Sequence, residues 1–170
     1  DHMLIVHSGW LEPQEVAILA NRKPSLVCAP SSSLHNGYGN FVHGKLPELM
    51  ALGVNVAIGS DHASSGIVDM SQEIRLACCC YKETRINPRV MPPEAGLEMA
   101  TVNGAKAALM SDRIGSIAVG KEADIVILDV ILDGMDGYSV CRWLRLGERT
   151  RDVVVIMLTV KGQVQEKVEG

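Results

Sequence analysis

Three short apolar runs end at a side chain that can bind a metal ion or transfer a proton. His7 follows the first run, Asp61 follows the run 54–58 and Asp129 follows the run 125–128. In folds built from parallel strands, the functional groups lie at the carboxyl ends of those strands. His7, Asp61 and Asp129 are therefore the candidate functional residues; the alternative for each is a polar residue with satisfied hydrogen bonds at a strand end.

The elements that position these residues alternate between strands and helices. Most of the strands are continuous apolar runs, which is typical of parallel strands buried on both faces. The sequence therefore predicts an α/β fold. Strands are predicted at Leu4–His7, Ser25–Ala29, Val54–Ile58, Asp124–Asp129 and Val153–Leu158. Helices are predicted at Glu12–Arg22, Leu46–Leu52, Val68–Glu83, Glu94–Met110 and Tyr138–Arg145, with a long loop at Pro30–Gly44 and a β-like segment at Ile114–Val119.

Composition argues against several classes of protein. The chain has 170 residues, of which 47% are hydrophobic and 21% charged, a balance typical of a globular protein with one core. Its formal net charge is −4 and it has no basic run, so nucleic acid is not an expected partner. No apolar run reaches the roughly 18 residues that cross a bilayer, so no membrane partner is expected and a cytoplasmic location is predicted.

The five cysteines do not form a recognisable site. They are odd in number and include no CxxC pair, which argues against a disulfide framework and against a thiolate zinc site. Cys78, Cys79 and Cys80 are consecutive in a predicted helix, where neighbouring side chains point about 100° apart and do not converge on one ion. We therefore interpret the cysteines as small core residues.

Residues 4–129 carry a series of motifs in a recognisable order. They are Val6-His7-Ser8-Gly9, Cys28-Ala29-Pro30-Ser31-Ser32-Ser33, Leu46-Pro47-Glu48-Leu49, the stretch 53–61 that ends in Gly59-Ser60-Asp61, and the later stretches 99–105 and 114–124. Together they resemble the second half of amidohydrolase-superfamily enzymes. The resemblance is to the aminohydrolase group that includes methylthioadenosine/adenosylhomocysteine deaminase, cytosine deaminase and the triazine chlorohydrolases. It implies half of a (β/α)8 barrel.

The resemblance also implies roles for two of the candidate residues. Asp61 corresponds to the aspartate at the end of strand eight, which binds the metal and takes a proton from the attacking water. His7 corresponds to the strand-six histidine, which hydrogen-bonds that water or the developing tetrahedral centre. The implied cofactor is zinc or another divalent metal, which lowers the pKa of its water towards neutrality. No other cofactor is expected.

The other metal ligands of the family are not found in these 170 residues. The match begins just before strand six, whereas the family takes an HxH pair from strand one and a histidine from strand five. One carboxylate and one imidazole are too few for zinc, which takes three or four protein ligands. We interpret His35, His43 and His62 as loop or surface histidines. The sequence therefore predicts no efficient catalysis.

From residue 123 onward the sequence resembles a second family, the receiver domains of response regulators. The motifs are the stretch 131–141, which reads ILDGMDGYSVC, and the strand-like Val153–Thr159. This resemblance implies that Asp129 is the phospho-accepting aspartate and that Thr159 is the switch hydroxyl. The acidic pair that holds Mg²⁺ and the lysine of the fifth strand are not found, and phosphoryl transfer needs that metal to neutralise charge. Phosphorylation of Asp129 is therefore not expected.

The two resemblances together predict a fusion. Residues 1–3 are interpreted as an expression-tag remnant, residues 4–122 as an amidohydrolase-derived half-barrel and residues 123–170 as a receiver-derived β-α-β segment, all in one combined domain. The half-barrel is completed by the receiver strands, in the manner of a flavodoxin-like five-stranded sheet.

The expected function is that of a folded chimeric protein without efficient catalysis. The alternatives are a residual metal-dependent hydrolase or deaminase acting on C–N bonds of a purine, pyrimidine or triazine-like ring, and a receiver-like phosphoacceptor module. Open sheet edges favour self-association, so a homodimer or domain-swapped oligomer is the expected partner state, which light scattering tests.

Overall fold

The computed structural model describes residues 2–61, 66, 68–131 and 136–158. The chain divides into two compact units, Asp1–Lys121 and Glu122–Gly170. We refer to them as the first unit and the second unit. In the described part of the chain, no helix is both long and apolar enough to cross a membrane.

The first unit contains a parallel sheet of the strands β1 (Leu4–Val6), β2 (Ser25–Cys28) and β3 (Asn55–Ile58), in the order β1-β2-β3. Ile5 pairs with Leu26, which in turn pairs with Val56. The central position of β2 explains its continuous apolar sequence, since both faces and both edges are covered. Sequential order with parallel pairing brings the carboxyl ends of all three strands to one edge of the sheet.

Helices follow each strand of the first unit. Their bounds are α1 (Pro13–Arg22), α2 (Pro30–Asn36), α3 (Asn40–His43), α4 (Leu46–Ala51), α5 (Met70–Arg85), α6 (Pro93–Ala100) and α7 (Val102–Ala107). The sequence encodes several of the helix starts. Glu12 and Glu15 form a capping box at α1, and Asp69 accepts hydrogen bonds from the first turn of α5.

The core of the first unit lies between the sheet and these helices. Leu26 and Val56 of the sheet and Leu49 of α4 have no exposed surface, and Phe41 contacts the edge of the Tyr81 ring with centroids 4.9 Å apart. The other core members are Leu19, Cys28, Leu46, Val54, Ile58, Ala77, Cys78, Met91 and Met99. Burial of side chains of this size stabilises the folded state by about 1.5–3 kcal/mol each.

Arg85, the last residue of α5, fastens two neighbouring helices to the core. Its guanidinium donates to Glu48 of α4 at 2.8 Å and to the backbone carbonyl of Phe41 at 3.0 Å, and it also donates to the carbonyl of Gly44. Burial by itself raises the pKa of Glu48, but the hydrogen bond from Arg85, a backbone hydrogen bond and the charges of Arg85 and Lys45 together outweigh that effect, so the pKa lies below its ordinary value. The carboxylate form of Glu48 is thus stabilised by folding.

Three predicted elements of the first unit differ from the structure. The predicted loop Pro30–Gly44 contains the helices α2 and α3. The predicted helix Glu94–Met110 is two helices, because the backbone at Thr101 (φ −123°, ψ −93°) is not helical. The segment Ile114–Val119 is not a strand, and Ile117 and Val119 are fully exposed, so no neighbouring strand covers them within the described residues.

The second unit contains β4 (Ile125–Asp129), α8 (Gly137–Leu146) and β5 (Val154–Leu158). The two strands are parallel and pair from Ile125 with Val154 to Asp129 with Leu158. Asp136 begins α8 by accepting the backbone N–H of Ser139 at 2.9 Å. This is a β-α-β unit, the arrangement that parallel strands require.

The single five-stranded flavodoxin-like sheet that the sequence predicts is not what the described residues form. Strands β4 and β5 pair with each other in a sheet of their own, and β1, β2 and β3 form the other sheet. The reason is that β5 follows β4 after one short helical crossover, so pairing within this unit closes a shorter loop than pairing with the distant β3. Apolar runs identify strands but do not specify their partners.

Candidate active site

His7 lies where the chain leaves β1. Its backbone N–H donates to the carbonyl of Val27 at 2.9 Å, so sheet pairing continues one residue past the strand. His7 (φ 73°) and Ser8 (φ 51°) are then both in the left-handed region, which non-glycine residues adopt rarely. The next residue, Gly9, lies so close to Asn40 of α3 that a Cβ would overlap that side chain. This sharp turn places the imidazole of His7 at the carboxyl edge of the sheet.

Asp61 lies three residues after the end of β3 and also has a left-handed backbone (φ 45°). Its Oδ2 atom is 3.7 Å from Nε2 of His7, and each of these side chains is about one-third accessible. That distance exceeds the usual hydrogen-bond range of roughly 2.7–3.2 Å. It is short enough for one oxygen atom to contact both groups, so the pair can bind and transfer protons with a water molecule.

The first turn of α2 forms the wall beside Asp61. Ser32, which has no exposed surface, donates from its hydroxyl to Oδ2 of Asp61 at 2.6 Å. Its neighbour Ser31 donates from its backbone N–H to Glu73 of α5 at 2.9 Å and from its hydroxyl to the same carboxylate. Glu73 is fully buried. The strand-end carboxylate and a buried helix carboxylate are therefore linked through two adjacent serines.

An aromatic side chain contacts His7, and a second pair of rings adjoins it. Tyr38 contacts the edge of the His7 ring with centroids 5.6 Å apart. Trp10 stacks on His43 at 4.0 Å and donates from its indole N–H to the carbonyl of Tyr38 at 2.8 Å. Tyr38 and His43 come from the segment 38–43, which the sequence interpretation treats as part of a surface loop. The structure shows that this segment contacts the candidate site.

Two polar atoms at the start of this turn are buried without a hydrogen-bond partner among the described residues. They are Nδ1 of His7 and Oγ of Ser8. A buried polar atom that makes no hydrogen bond costs on the order of 1–3 kcal/mol. Such costs concentrate at functional positions. Within the described part of the chain, the contacts that hold the His7 imidazole are the backbone turn and the ring of Tyr38.

The residues present form only part of a zinc donor set. His7 and Asp61 offer one nitrogen and one carboxylate, whereas zinc takes three or four protein ligands. Across residues 2–61, 66, 68–131 and 136–158, no group of three or more His, Cys, Asp or Glu side chains converges as a metal site would require. His62 lies outside the described residues. His7 and Asp61 by themselves therefore do not fit a complete zinc site.

Cys28 lies on the strand between the two candidate residues but does not add to their chemistry. Burial, together with the charge of the nearby Glu73, raises the pKa of its thiol to about 12. The thiol is therefore protonated at neutral pH, and a thiol is neither a nucleophile nor a metal ligand in that form. Cys28 is a core residue, as the composition suggests.

Asp129, the third candidate residue, has simpler surroundings in the second unit. It is exposed at the end of β4, and its Oδ1 accepts the backbone N–H of Ile131 at 3.1 Å. This is a local turn contact. The second residue of the predicted phosphoacceptor site, Thr159, lies outside the described residues. The geometry of Asp129 thus shows a strand-end aspartate that caps its own turn.

Comparisons with known proteins find similar deaminases. A 5-methylthioadenosine/S-adenosylhomocysteine deaminase of Moorella thermoacetica is 39% identical over 129 residues, 75% of this chain and 29% of that protein. A 5'-deoxyadenosine deaminase of Methanosarcina acetivorans is 34% identical, with the same coverage. The solved structure of an adenosine deaminase from Xanthomonas campestris with bound zinc matches with a TM-score of 0.65 and 35% identity, over 71% of this chain and 27% of that one. The chain therefore spans less than a third of the length of these relatives.

The model of the Amidohydrolase family matches residues 1–164. The match extends through most of the segment 123–170 for which the sequence suggested a receiver-domain origin. It gives no support to the expected fusion, and the deaminase relatives give none to the expected loss of catalysis. The chain belongs to the amidohydrolase family.

Proposed function

We propose that this chain carries the proton-transfer pair of a metal-dependent amidohydrolase. The proposed reaction is hydrolysis of the C–N bond that joins an amino group to a purine, pyrimidine or triazine-like ring. The observation that carries the proposal is the approach of His7 Nε2 to Asp61 Oδ2 at 3.7 Å on the carboxyl edge of the sheet. Support comes from the family match and from relatives whose names specify deamination of adenosine-type nucleosides.

In the proposed chemistry, Asp61 carries one proton from the attacking water to the leaving amino group. The oxygen of a water molecule forms a bond to the ring carbon that bears the amino group, and Asp61 takes a proton from that water. His7 hydrogen-bonds the attacking oxygen. The C–N bond then breaks, and the amino group leaves as ammonia with the proton that Asp61 returns. A carboxylate and an imidazole in contact with one oxygen are the groups that such acid–base catalysis uses.

Zinc is the cofactor that we assign to the complete site, because the Xanthomonas campestris adenosine deaminase contains it. Within this chain we assign the carboxylate of Asp61 as a ligand. Since His7 and Asp61 do not complete a zinc site, we assign the remaining ligands to the portion of the family's length that this chain does not span.

Ammonia release tests the proposal. For every ammonia-release assay, this chain replaces the matching 29% of the Moorella thermoacetica deaminase, so that the rest of that protein supplies the remaining metal ligands. The hybrid is incubated with zinc and with 5'-methylthioadenosine, S-adenosylhomocysteine or 5'-deoxyadenosine, and its His7→Ala and Asp61→Asn variants are compared. His35→Ala is the matched control, since it removes an imidazole that is exposed on α2. We expect release that chelator stops, that His7→Ala and Asp61→Asn lower by about 10²–10⁴-fold, and that His35→Ala leaves unchanged. Equal activity of the His7 and His35 variants would contradict the proposal.

A further inference from the structure

We propose that Ser32 is a positioning residue for Asp61, and that Glu73 holds Ser32 in place through Ser31. This inference rests on the proposed function, since it concerns the orientation of the carboxylate that takes the proton. It adds roles for two residues: Ser32, to which the motif 28–33 assigns no role, and Glu73, which lies outside the motifs and the strand ends.

The contact between Ser32 and Asp61 is the first step of the argument. At 2.6 Å it lies in the range of roughly 2.5–2.7 Å that hydrogen bonds from a hydroxyl to a charged carboxylate occupy. Ser32 is fully buried, whereas the side chain of Asp61 is one-third accessible. The buried hydroxyl is thus the fixed partner, and the accessible carboxylate is the group whose rotation it limits.

The direction of this hydrogen bond follows from the chemistry of the neighbours. Asn36 donates from Nδ2 to the carbonyl of Ser32 at 3.0 Å, and the same nitrogen lies 3.5 Å from the Ser32 hydroxyl. An amide nitrogen only donates and a carboxylate only accepts. The hydroxyl proton of Ser32 therefore points to Asp61, and one residue of the same helix favours that orientation.

Glu73 provides the anchor for this turn. The residue before α2 is Ala29, whose side chain cannot cap the helix, and no side-chain cap is present there. Glu73, 42 residues further along the chain than Ser31, instead accepts the backbone N–H and the hydroxyl of Ser31. The Ser31 hydroxyl also lies 3.4 Å from the carbonyl of Ser60, the residue before Asp61. The buried carboxylate of Glu73 thus holds Ser31 in the first turn of α2. Ser31 in turn sets the distance between this turn and the segment that follows β3.

The energetics favour a specific role over simple packing. Burying a carboxylate in the core is costly unless hydrogen bonds compensate. At Glu73, the compensating bonds come from the turn that carries Ser32. An apolar side chain would fill the position of Glu73 at a lower cost in free energy. Glu73 is instead connected to Asp61 by hydrogen bonds through the adjacent serines.

Substitution of adjacent serines separates positioning from packing. Ser32→Ala removes the hydroxyl that contacts Asp61. Ser33→Ala is the matched control, because Ser33 lies in the same turn, is also buried and forms no side-chain hydrogen bond to a carboxylate within the described residues. The first readout is kinetic. We expect Ser32→Ala to lower kcat for ammonia release by about 10–100-fold with KM unchanged, and Ser33→Ala to change neither.

The second readout does not depend on activity. A hydroxyl proton held by a carboxylate exchanges slowly with water and gives its own proton NMR resonance. We expect this resonance in the unmodified chain and in Ser33→Ala, its loss in Ser32→Ala, and a shift in Asp61→Asn. Glu73→Gln leaves Ser32 in place but replaces one acceptor oxygen that faces Ser31 with a donor. We expect this variant to lower the intensity of the Ser32 hydroxyl resonance.

The outcomes for the two proposals are distinguishable. If Asp61→Asn keeps full activity, or if no substrate releases ammonia with any divalent metal, the proposed function is wrong, and the resonance alone decides whether Ser32 orients Asp61. If Asp61→Asn is inactive but Ser32→Ala matches Ser33→Ala in kcat and in the spectrum, the proposed function stands and the positioning role is overturned.

Discussion

Each unit of the chain has an aspartate at or just beyond the carboxyl end of a parallel strand, but the two carboxylates have different surroundings. Asp61 is 2.6 Å from the buried hydroxyl of Ser32 and 3.7 Å from the His7 imidazole, and both partners come from other elements. Asp129 accepts a backbone N–H from Ile131, two residues away. A strand end alone therefore does not make a site, which also needs side chains from neighbouring elements.

The interiors of the two units differ in the same way. The first unit has a contiguous core in which Leu26, Leu49, Val56 and Met99 have no exposed surface. In the described part of the second unit, Leu128 is the one hydrophobic side chain that is classed as buried. Alternate residues of β4 and β5, such as Ile127 and its partner Ile156, remain about half exposed. The candidate site therefore lies in the first unit, whose buried core can hold its side chains in fixed positions.

The largest expected effect tests the comparison of the two aspartates. Asp61→Asn is expected to lower ammonia release by about 10²–10⁴-fold, since it removes the proton acceptor. Asp129→Asn is expected to leave the rate unchanged, because among the described residues its carboxylate is hydrogen-bonded to a local backbone N–H. We also expect no gain in mass when the chain is incubated with acetyl phosphate and Mg²⁺. A gain that Asp129→Asn abolishes would restore the phosphoacceptor hypothesis.

Shortening one hydrophobic side chain in each unit tests whether the two interiors differ in packing. Leu26→Ala is expected to lower the free energy of unfolding by about 2–5 kcal/mol, because it leaves a cavity at a fully buried position of β2. Ile127→Ala, at an exposed position of β4, is expected to change it by less than about 0.5 kcal/mol. Urea denaturation measures both values. Equal losses would mean that the exposed face of β4 is covered in solution.

Hydrogen exchange compares the two sheets without substitution. Amides of β2 have paired strands on both sides, whereas β5 pairs with β4 alone in the described residues. Local opening requires less free energy where few apolar contacts are broken. We expect exchange in β5 to be at least about 100-fold faster than in β2, measured amide by amide by NMR. Similar protection in both strands would show that the units open together.

The smallest expected effect concerns acid stability. The pKa of Glu48 is lower in the folded chain than its ordinary value, so its contribution to stability is complete above the unfolded pKa of about 4.3 and is lost as the pH falls through the folded pKa. Glu48→Gln should flatten the fall in stability over that window. The effect is small because 43% of the side chain is exposed and its pair with Arg85 is screened by solvent.

Asp136 offers the matched test in the second unit. Its hydrogen bonds from Ser139 lower its pKa, so the direction of its pH dependence is the same as that of Glu48. Thermal unfolding between pH 2 and pH 6 compares Glu48→Gln with Asp136→Asn. If the unfolding temperature of the unmodified chain rises as the pH is lowered from 6 to 2, the lowered pKa values of Glu48 and Asp136 are both contradicted.

The sequence predicts the elements of the first unit well where the apolar pattern is continuous. The predicted strand Ser25–Ala29 is observed as Ser25–Cys28, and the predicted strand Val54–Ile58 as Asn55–Ile58. Parallel pairing follows from the same pattern, because strands buried on both faces need helices between them. The proximity of His7 to Asp61 follows in turn, since both residues lie at or beyond carboxyl ends of strands in one parallel sheet.

The features that the sequence does not predict depend on contacts between residues that are far apart in the chain. The sequence predicts Ser31 and Ser32 in a polar loop, yet their hydroxyls donate to Glu73 and Asp61, which are 42 and 29 residues away. No local pattern reports such partners. The division of the strands into two sheets was missed for a similar reason, because the apolar run of β4 is as compatible with a partner in the first unit as with β5.

The left-handed backbone at His7, Ser8 and Asp61 has an evolutionary consequence. A side chain in this conformation costs on the order of 1–2 kcal/mol, and glycine avoids that cost. Selection for thermal robustness alone would therefore favour glycine at these positions, and the exchange at His7 or Asp61 would delete a group of the proposed proton-transfer pair. On the proposed function, histidine and aspartate would be retained at these positions only under selection for turnover. Laboratory evolution of this chain for heat resistance, without an activity screen, would be expected to remove the site first.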